Sequence, residues 1–152
     1  MEHQRKSVSV QYAKSLKSCW DLEYILIGDL RQLLDEGQLS KIRMPLLVII
    51  NRLLQNLPDL LRLSSEDGFI ATVPKICPRF HRQIQTLQRV NLECINSLQG
   101  LHDHIDNKSN FIDVSKETDG KLRDWITAFG KMRSRESELL QEAYTVDIGG
   151  EA

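Results

Sequence analysis

One carboxylate interrupts an apolar helical stripe in the last third of this 152-residue chain. The members of the stripe recur at spacings of three and four residues, which is the period of one face of an α-helix. They are Leu122, Trp125, Phe129, Met132, Glu136, Leu139 and Ala143. A carboxylate that faces a protein core is costly unless it is paired, protonated or bound to a ligand. Glu136 therefore marks a place where a helical protein would hold a site.

Three further polar residues fall on apolar stripes elsewhere in the chain: Glu23, Ser64 and Asn91. Helical bundles build metal and cofactor sites from such residues on facing helices. Each residue alone is more commonly a hydrogen-bonded core residue. The set therefore indicates a site only if its members lie at one depth.

The side chains that usually catalyse reactions or bind metals are missing from these stripes. His102 and His104 are two residues apart, so they point to different sides of a helix and cannot chelate one ion together. Neither an HExxH nor an ExxH motif occurs, no Ser or Cys has a neighbouring base, and there is no glycine-rich phosphate loop. We therefore expect a protein that is not an enzyme, with no catalytic residues and no cofactor.

Four amphipathic helices are predicted to position the inward residues, at about residues 7–35, 42–65, 78–106 and 115–144. The second stripe comprises Leu46, Ile50, Leu53, Leu57, Leu60 and Ser64, and the third comprises Phe80, Ile84, Leu87, Asn91, Cys94, Leu98, Leu101 and Ile105. Pro58 is expected to kink the second helix. Asp67-Gly68, Pro74 and Pro78 indicate a connector between the second and third helices. Residues 145–152 are expected to be loosely ordered.

Long helices with one apolar face each and short connectors favour an all-α fold, an antiparallel up-down-up-down four-helix bundle. The length of 152 residues fits a single domain that spans residues 1–152.

The composition excludes several classes of partner. Twenty Lys and Arg residues against 21 Asp and Glu give a net charge of −1, which does not favour nucleic acid. The longest apolar run, Pro45 to Ile50, is far shorter than the ~20 residues of a membrane-spanning helix. The first residues lack the apolar region of a secretory signal, and the cysteines are odd in number and dispersed. We therefore expect a cytoplasmic protein that binds neither nucleic acid nor membrane.

Three stretches carry a family resemblance. Leu53–Ile70 reads LLQNLPDLLRLSSEDGFI, Leu87–Leu101 reads LQRVNLECINSLQGL, and Phe129–Gly149 reads FGKMRSRESELLQEAYTVDIG. They resemble the second, third and fourth helices of the hemerythrin-like (HHE) family of metal-binding four-helix bundles. The likeness includes an acidic, glycine-containing turn after the second helix, and an Arg-Glu run that leads into a Glu-Leu-Leu segment in the fourth.

The residues at the family's ligand positions differ from the ligands that the resemblance implies. Leu60 and Ser64 stand where the second helix has its His and Glu, and Asn91 and Met132 stand where the third and fourth helices have histidines. Glu136 keeps its carboxylate. The first-helix histidine would fall near Trp20 or one turn either way. Because leucine and methionine are not normal ligands for iron or manganese, the resemblance implies this fold with a vestigial site and no metal.

Stripe phase and family likeness select the same inward positions independently. We therefore expect Leu60, Asn91, Met132 and Glu136 to converge at a similar depth. We also expect Glu136 to accept or donate a hydrogen bond across helices, with candidate partners Asn91, Ser64, Arg89 and Arg135.

The leading functional hypothesis is a hemerythrin-like bundle that has lost its di-iron site and acts as a binding or regulatory module. Its partner would be an unknown protein or a second copy of the chain. The alternative is a residual metal-binding or oxygen-sensing protein that holds iron with Glu23, Asn91, Glu136 and outside ligands. A third hypothesis is a helical partner-binding adaptor unrelated to that family, which a different helix connectivity would favour.

Overall fold

The computed structural model of the protein describes residues 2–37, 39–66, 68–107 and 115–150. Within these ranges the chain is all-α: four long helices and one short helix occur, and there is no strand. The helices are α1 (Glu2–Glu36), α2 (Leu39–Glu66), α3 (Phe69–Ile76), α4 (His81–Asp106) and α5 (Ser115–Gly150), with a 3-10 turn at Pro78–Phe80 before α4. The predicted all-α class is confirmed.

The helix boundaries differ from the predicted ones between α2 and α4. The segment predicted to be a connector contains α3, which includes Pro74. The Thr72 hydroxyl donates to the Gly68 carbonyl at 2.9 Å, and Val73 and Cys77 are buried. Burial in the core stabilises this short helix despite its proline, because tertiary packing overrides local propensity.

The last helix is longer than predicted. It continues through Gly150 instead of ending near Tyr144, so the loosely ordered tail predicted from residue 145 is helical up to residue 150. The Thr145 hydroxyl donates to the Gln141 carbonyl at 2.8 Å, and no proline follows to stop the helix. Helix α2 includes Pro45 and Pro58, as its predicted range of about residues 42–65 requires. Residues 151–152 lie outside the described part.

The apolar faces of the helices meet in two clusters of buried residues. The large apolar cluster comprises Leu26, Leu30, Leu34, Leu46, Leu47, Ile50, Leu53, Leu57, Cys94, Leu98, Ile105, Leu122, Trp125, Ile126, Phe129 and Met132. The small apolar cluster comprises Val73, Cys77, Phe80, Ile84, Leu87, Leu139 and Ala143. Every residue of the predicted stripes in α2 and α5 is buried, so these two inward faces are confirmed. In α4 only Leu101 of the stripe is partly exposed.

Two arginine side chains form hydrogen bonds with the carbonyl groups at the ends of neighbouring helices. Arg43 near the start of α2 donates to the carbonyls of Ile105 and Asp106, each at 2.8 Å. Arg123 in α5 donates to the Leu34 carbonyl at 2.9 Å, near the end of α1. The last carbonyls of a helix have no partner within the helix and carry its negative dipole end. These arginines therefore satisfy the ends of α4 and α1 while they connect the helices.

Other side chains connect the helices along their length. The Asn56 amide nitrogen donates to the Cys19 carbonyl at 2.8 Å, which joins α2 to α1. The Trp125 indole nitrogen donates to the Cys94 carbonyl at 2.9 Å, which joins α5 to α4. The thiols of Cys19, Cys77 and Cys94 are free. No helix in the described ranges is both long and apolar enough to cross a membrane.

Candidate functional site

A layer of polar residues separates the two apolar clusters. On α4 the member of the large cluster nearest to the small one is Cys94, and the nearest member of the small cluster is Leu87. Asn91 lies between these two residues. On α5 the large cluster ends at Met132 and the small one begins at Leu139, and Glu136 lies between them. Both polar residues are buried, with only 4% and 5% of their surface exposed. We call Glu23, Asn91, Arg133 and Glu136 the polar layer.

Arg133 is the central cation of this layer. Its Nη1 donates to Glu136 Oε2 at 2.9 Å, one turn further along α5. Its Nη2 donates to Glu23 Oε1 at 2.7 Å, and its Nε lies 3.1 Å from Glu23 Oε2. Two nitrogens of one guanidinium thus bind both oxygens of one carboxylate, the arrangement that makes arginine–carboxylate pairs strong and directional. We call Glu23, Arg133 and Glu136 the ion triad, and it connects α1 to α5.

The arginine also rests on the apolar cluster. Its guanidinium carbon lies 5.0 Å from the centre of the Phe129 ring, and its Nη1 lies 3.8 Å from the Met132 sulfur. Phe129 in turn stacks on Trp125, with ring centres 5.0 Å apart. A guanidinium over an aromatic face gains cation–π stabilisation and keeps its edge free for carboxylates. Trp125 and Phe129 therefore form a platform that holds Arg133 in place.

Burial and the arginine act in opposite directions on Glu136. Desolvation raises the pKa of Glu136 above its ordinary value of 4.5, although Arg133 lowers it by charge and hydrogen bonding. The nearby Glu23 carboxylate raises it further. Desolvation lowers the pKa of Arg133, but the two carboxylates outweigh it and the net shift is upward. The layer therefore keeps a permanent cation beside a carboxyl group that retains its proton more readily than usual.

The predicted partners of Glu136 were wrong. The hydrogen bond that the structure shows for its carboxylate comes from Arg133 on the same helix, and not from Asn91, Ser64, Arg89 or Arg135. The connection across helices is made instead by Arg133 with Glu23. The sequence contains one signal for this pair: Arg133 precedes Glu136 by three residues, a spacing at which helical side chains meet.

The other predicted site residues are placed as follows. Leu60, Ser64 and Met132 are buried, as their stripe positions predicted. Glu23 is buried, with 8% of its surface exposed, whereas Trp20 on the preceding turn is 42% exposed. The convergence of Leu60, Asn91, Met132 and Glu136 on one point stays a prediction. In the described part of the chain, no three side chains of the His, Cys, Asp and Glu types are grouped so that they could hold a metal ion.

Asn91 has an unusual position in the polar layer because its side-chain oxygen Oδ1 is buried and accepts no hydrogen bond within the described chain. A buried acceptor without a donor costs about 1–3 kcal/mol. We therefore expect Asn91→Leu, an apolar side chain of similar size, to raise the free energy of unfolding by about 1 kcal/mol. Urea denaturation followed by circular dichroism would measure the change.

Asn56 provides the matched control for this substitution. It is a second buried asparagine, but its amide nitrogen donates to the Cys19 carbonyl at 2.8 Å. Asn56→Leu removes that donor and leaves the carbonyl without it, so it should lower stability by about 1–2 kcal/mol. If Asn91→Leu destabilised the protein as much as Asn56→Leu, Asn91 Oδ1 would have a donor in solution.

Comparison with known proteins gives no match: no family model matches the chain, and no curated protein or solved structure is significantly similar to it.

Proposed function

We propose that this chain is a hemerythrin-like four-helix bundle that has lost a di-iron site and acts as a non-catalytic binding or regulatory module. The observation that carries the proposal is the position of Arg133 between Glu23 and Glu136. A guanidinium cannot be deprotonated in a protein, and here it binds both carboxylates of the layer. The Arg133 side chain is permanently charged, so it supplies the positive charge that a bound metal would otherwise supply to the buried carboxylates.

The residues of the layer do not fit a di-iron centre. Iron in a carboxylate and imidazole site needs several oxygen and nitrogen donors directed at one point. Both carboxylates here already accept hydrogen bonds from Arg133, and Leu60 and Met132 offer no suitable ligand atom at the positions of two of the family's histidines. Asn91 adds one neutral amide oxygen. Two carboxylates with a bound arginine favour a structural ion triad over a metal site.

The up-down-up-down arrangement is part of the proposal, and the contacts between helices support it. The Asn56 side chain is hydrogen-bonded to the Cys19 carbonyl, and Cys19 lies as far before the end of α1 as Asn56 lies after the start of α2. Arg43 near the start of α2 reaches the end of α4, and Arg123 near the start of α5 reaches the end of α1. Each of these contacts is expected when the paired helices are antiparallel.

Two surface features support a binding role. An open groove of about 720 Å³ lies between α4 and α5, with Trp125, Cys94 and Leu101 among its lining residues. Its volume is within the range of sites that accept ligands or partner side chains. In addition, large apolar residues are exposed on α1 and α2. Exposed apolar patches commonly mark surfaces that bind other proteins.

Metal analysis of the purified full chain tests the proposal. We expect less than stoichiometric iron or manganese, no ligand-to-metal absorption band in the visible spectrum, and a melting temperature that a chelator does not change. The apolar clusters are large enough to stabilise the fold without metal, whereas metal-dependent domains unfold when chelated. Stoichiometric iron with a ligand-to-metal band would overturn the proposal and favour a residual metal-binding or oxygen-sensing protein.

A further inference from the structure

Four exposed apolar residues lie on one side of the α1–α2 pair. Leu22 and Ile25 on α1 are three residues apart, and Met44 and Val48 on α2 are four apart, so each pair shares one side of its helix. Their exposed fractions are 39%, 56%, 61% and 49%. Leu22 lines a groove together with Arg52 of α2, which lies four residues after Val48. We call the surface formed by these four apolar residues the α1–α2 face.

Charged residues accompany the apolar residues on the α2 side of this face. Lys41, Arg52 and Asp59 lie on the same side of α2 as Met44 and Val48, because successive members of this set are three, four, four and seven residues apart. Along α2, Lys41 and Asp59 lie on either side of the exposed apolar residues Met44 and Val48, and their charges have opposite signs.

The α2 side of this face is complementary to itself under a two-fold rotation. The midpoint between Lys41 and Asp59 lies at Ile50. A two-fold axis at that level, perpendicular to α2, would pack α2 against the partner's α2 and place Lys41 opposite the partner's Asp59. This pair has opposite signs, and it occurs twice in such an interface. The apolar residues Ile25 and Val48 would lie close to the axis.

We infer that the α1–α2 face binds a second copy of this chain in an antiparallel, two-fold symmetric dimer. The inference names the partner of the proposed binding module and rests on the antiparallel bundle proposed above. Apolar contact around Ile25 and Val48 drives the association because it removes exposed apolar surface from water. The two Lys41–Asp59 pairs fix the antiparallel direction, since a parallel alignment of the two α2 helices would place like charges opposite each other.

The mass of the full chain in solution tests the inference. We expect sedimentation velocity to give a dimer at micromolar concentrations, and Ile25→Glu or Val48→Glu to weaken the dimer at least tenfold without changing the circular dichroism spectrum. Leu92→Glu is the matched control, because Leu92 is 50% exposed but lies on α4, and its dimer should persist. Two separate variants are used so that misfolding of one would not remove the test.

Charge reversal tests the orientation of the two copies. Lys41→Asp and Asp59→Lys should each weaken the dimer, and the double variant should recover most of the lost affinity because the opposed pairs are restored with exchanged signs. A monomer at all concentrations, a dimer that tolerates both Ile25→Glu and Val48→Glu, or a double variant no tighter than the single ones would overturn the inference. Metal content is measured separately, so iron in a dimeric protein would overturn the proposed function alone.

Discussion

Arg133→Met should lower the free energy of unfolding by about 3–5 kcal/mol at neutral pH. The substitution keeps most of the side-chain volume but removes the guanidinium that binds Glu23 and Glu136. Two carboxylates then remain buried within one layer without a cation. Removing one partner of a buried ion pair is much more costly than the pair itself is stabilising, because an uncompensated charge is left in the protein. Denaturation by guanidinium chloride at pH 7 would measure the loss.

Arg135→Met is the matched control for this prediction. Arg135 lies two residues further along α5, and its side chain is 48% exposed and pairs with Glu138 at 3.3 Å on the surface. Exposed pairs of this kind contribute about 0–1 kcal/mol, so the control should retain nearly all of the wild-type stability. The loss in Arg133→Met should also shrink at acidic pH, where the carboxylates accept protons. Equal effects of the two substitutions would show that Arg133 has no special role in the core.

The inward faces of the long helices were predictable because their periodicity is strong and local. In α5 every residue assigned to the core from Leu122 to Ala143 is buried, including Glu136. The pattern predicts burial because residues three and four apart share one side of a helix. Helix α3 was not predictable in this way. It has eight residues, contains Pro74 and follows Gly68, so its local sequence resembles a connector. Its stability depends on the burial of Val73, which only the folded chain provides.

The candidate site was predicted only in part, for a related reason. Periodicity selected Glu136, Asn91 and Glu23 because short and medium side chains point in the direction of their stripe. Arg133 lies one position beside the stripe, and its long side chain reaches the core from there. Its principal partner, Glu23, is 110 residues away along the chain. The spacing of residues within one helix gives no information on which residues of two different helices meet. The ion triad could therefore be identified only from the packed helices.

A triple substitution tests whether the ion triad stabilises the fold or whether the attraction among its charges only offsets the cost of their desolvation. In Glu23→Leu/Arg133→Met/Glu136→Leu all three charges are replaced by apolar side chains of similar size. We expect the free energy of unfolding at pH 7 to be unchanged or higher by up to about 4 kcal/mol, because the desolvation of three charged groups disappears together with their attraction. The contrast with the loss expected for Arg133→Met alone would show that the cost lies in an unpaired charge. A triple variant as unstable as Arg133→Met would contradict this.

The pH dependence of the triple variant provides an independent check, because it lacks the carboxyl group of Glu136. The pKa of Glu136 in the folded protein is raised above its ordinary value of 4.5, chiefly by desolvation. Between these two values the folded state holds a proton that the unfolded state has released, so this group lowers wild-type stability as the pH rises through the window. The advantage of the triple variant over the wild type should therefore increase from about pH 4.5 upward and become constant above the raised pKa. Urea denaturation of both proteins at intervals of pH would measure it. A difference that narrowed as the pH rose would mean that the interaction with Arg133 outweighs desolvation at Glu136 and lowers its pKa.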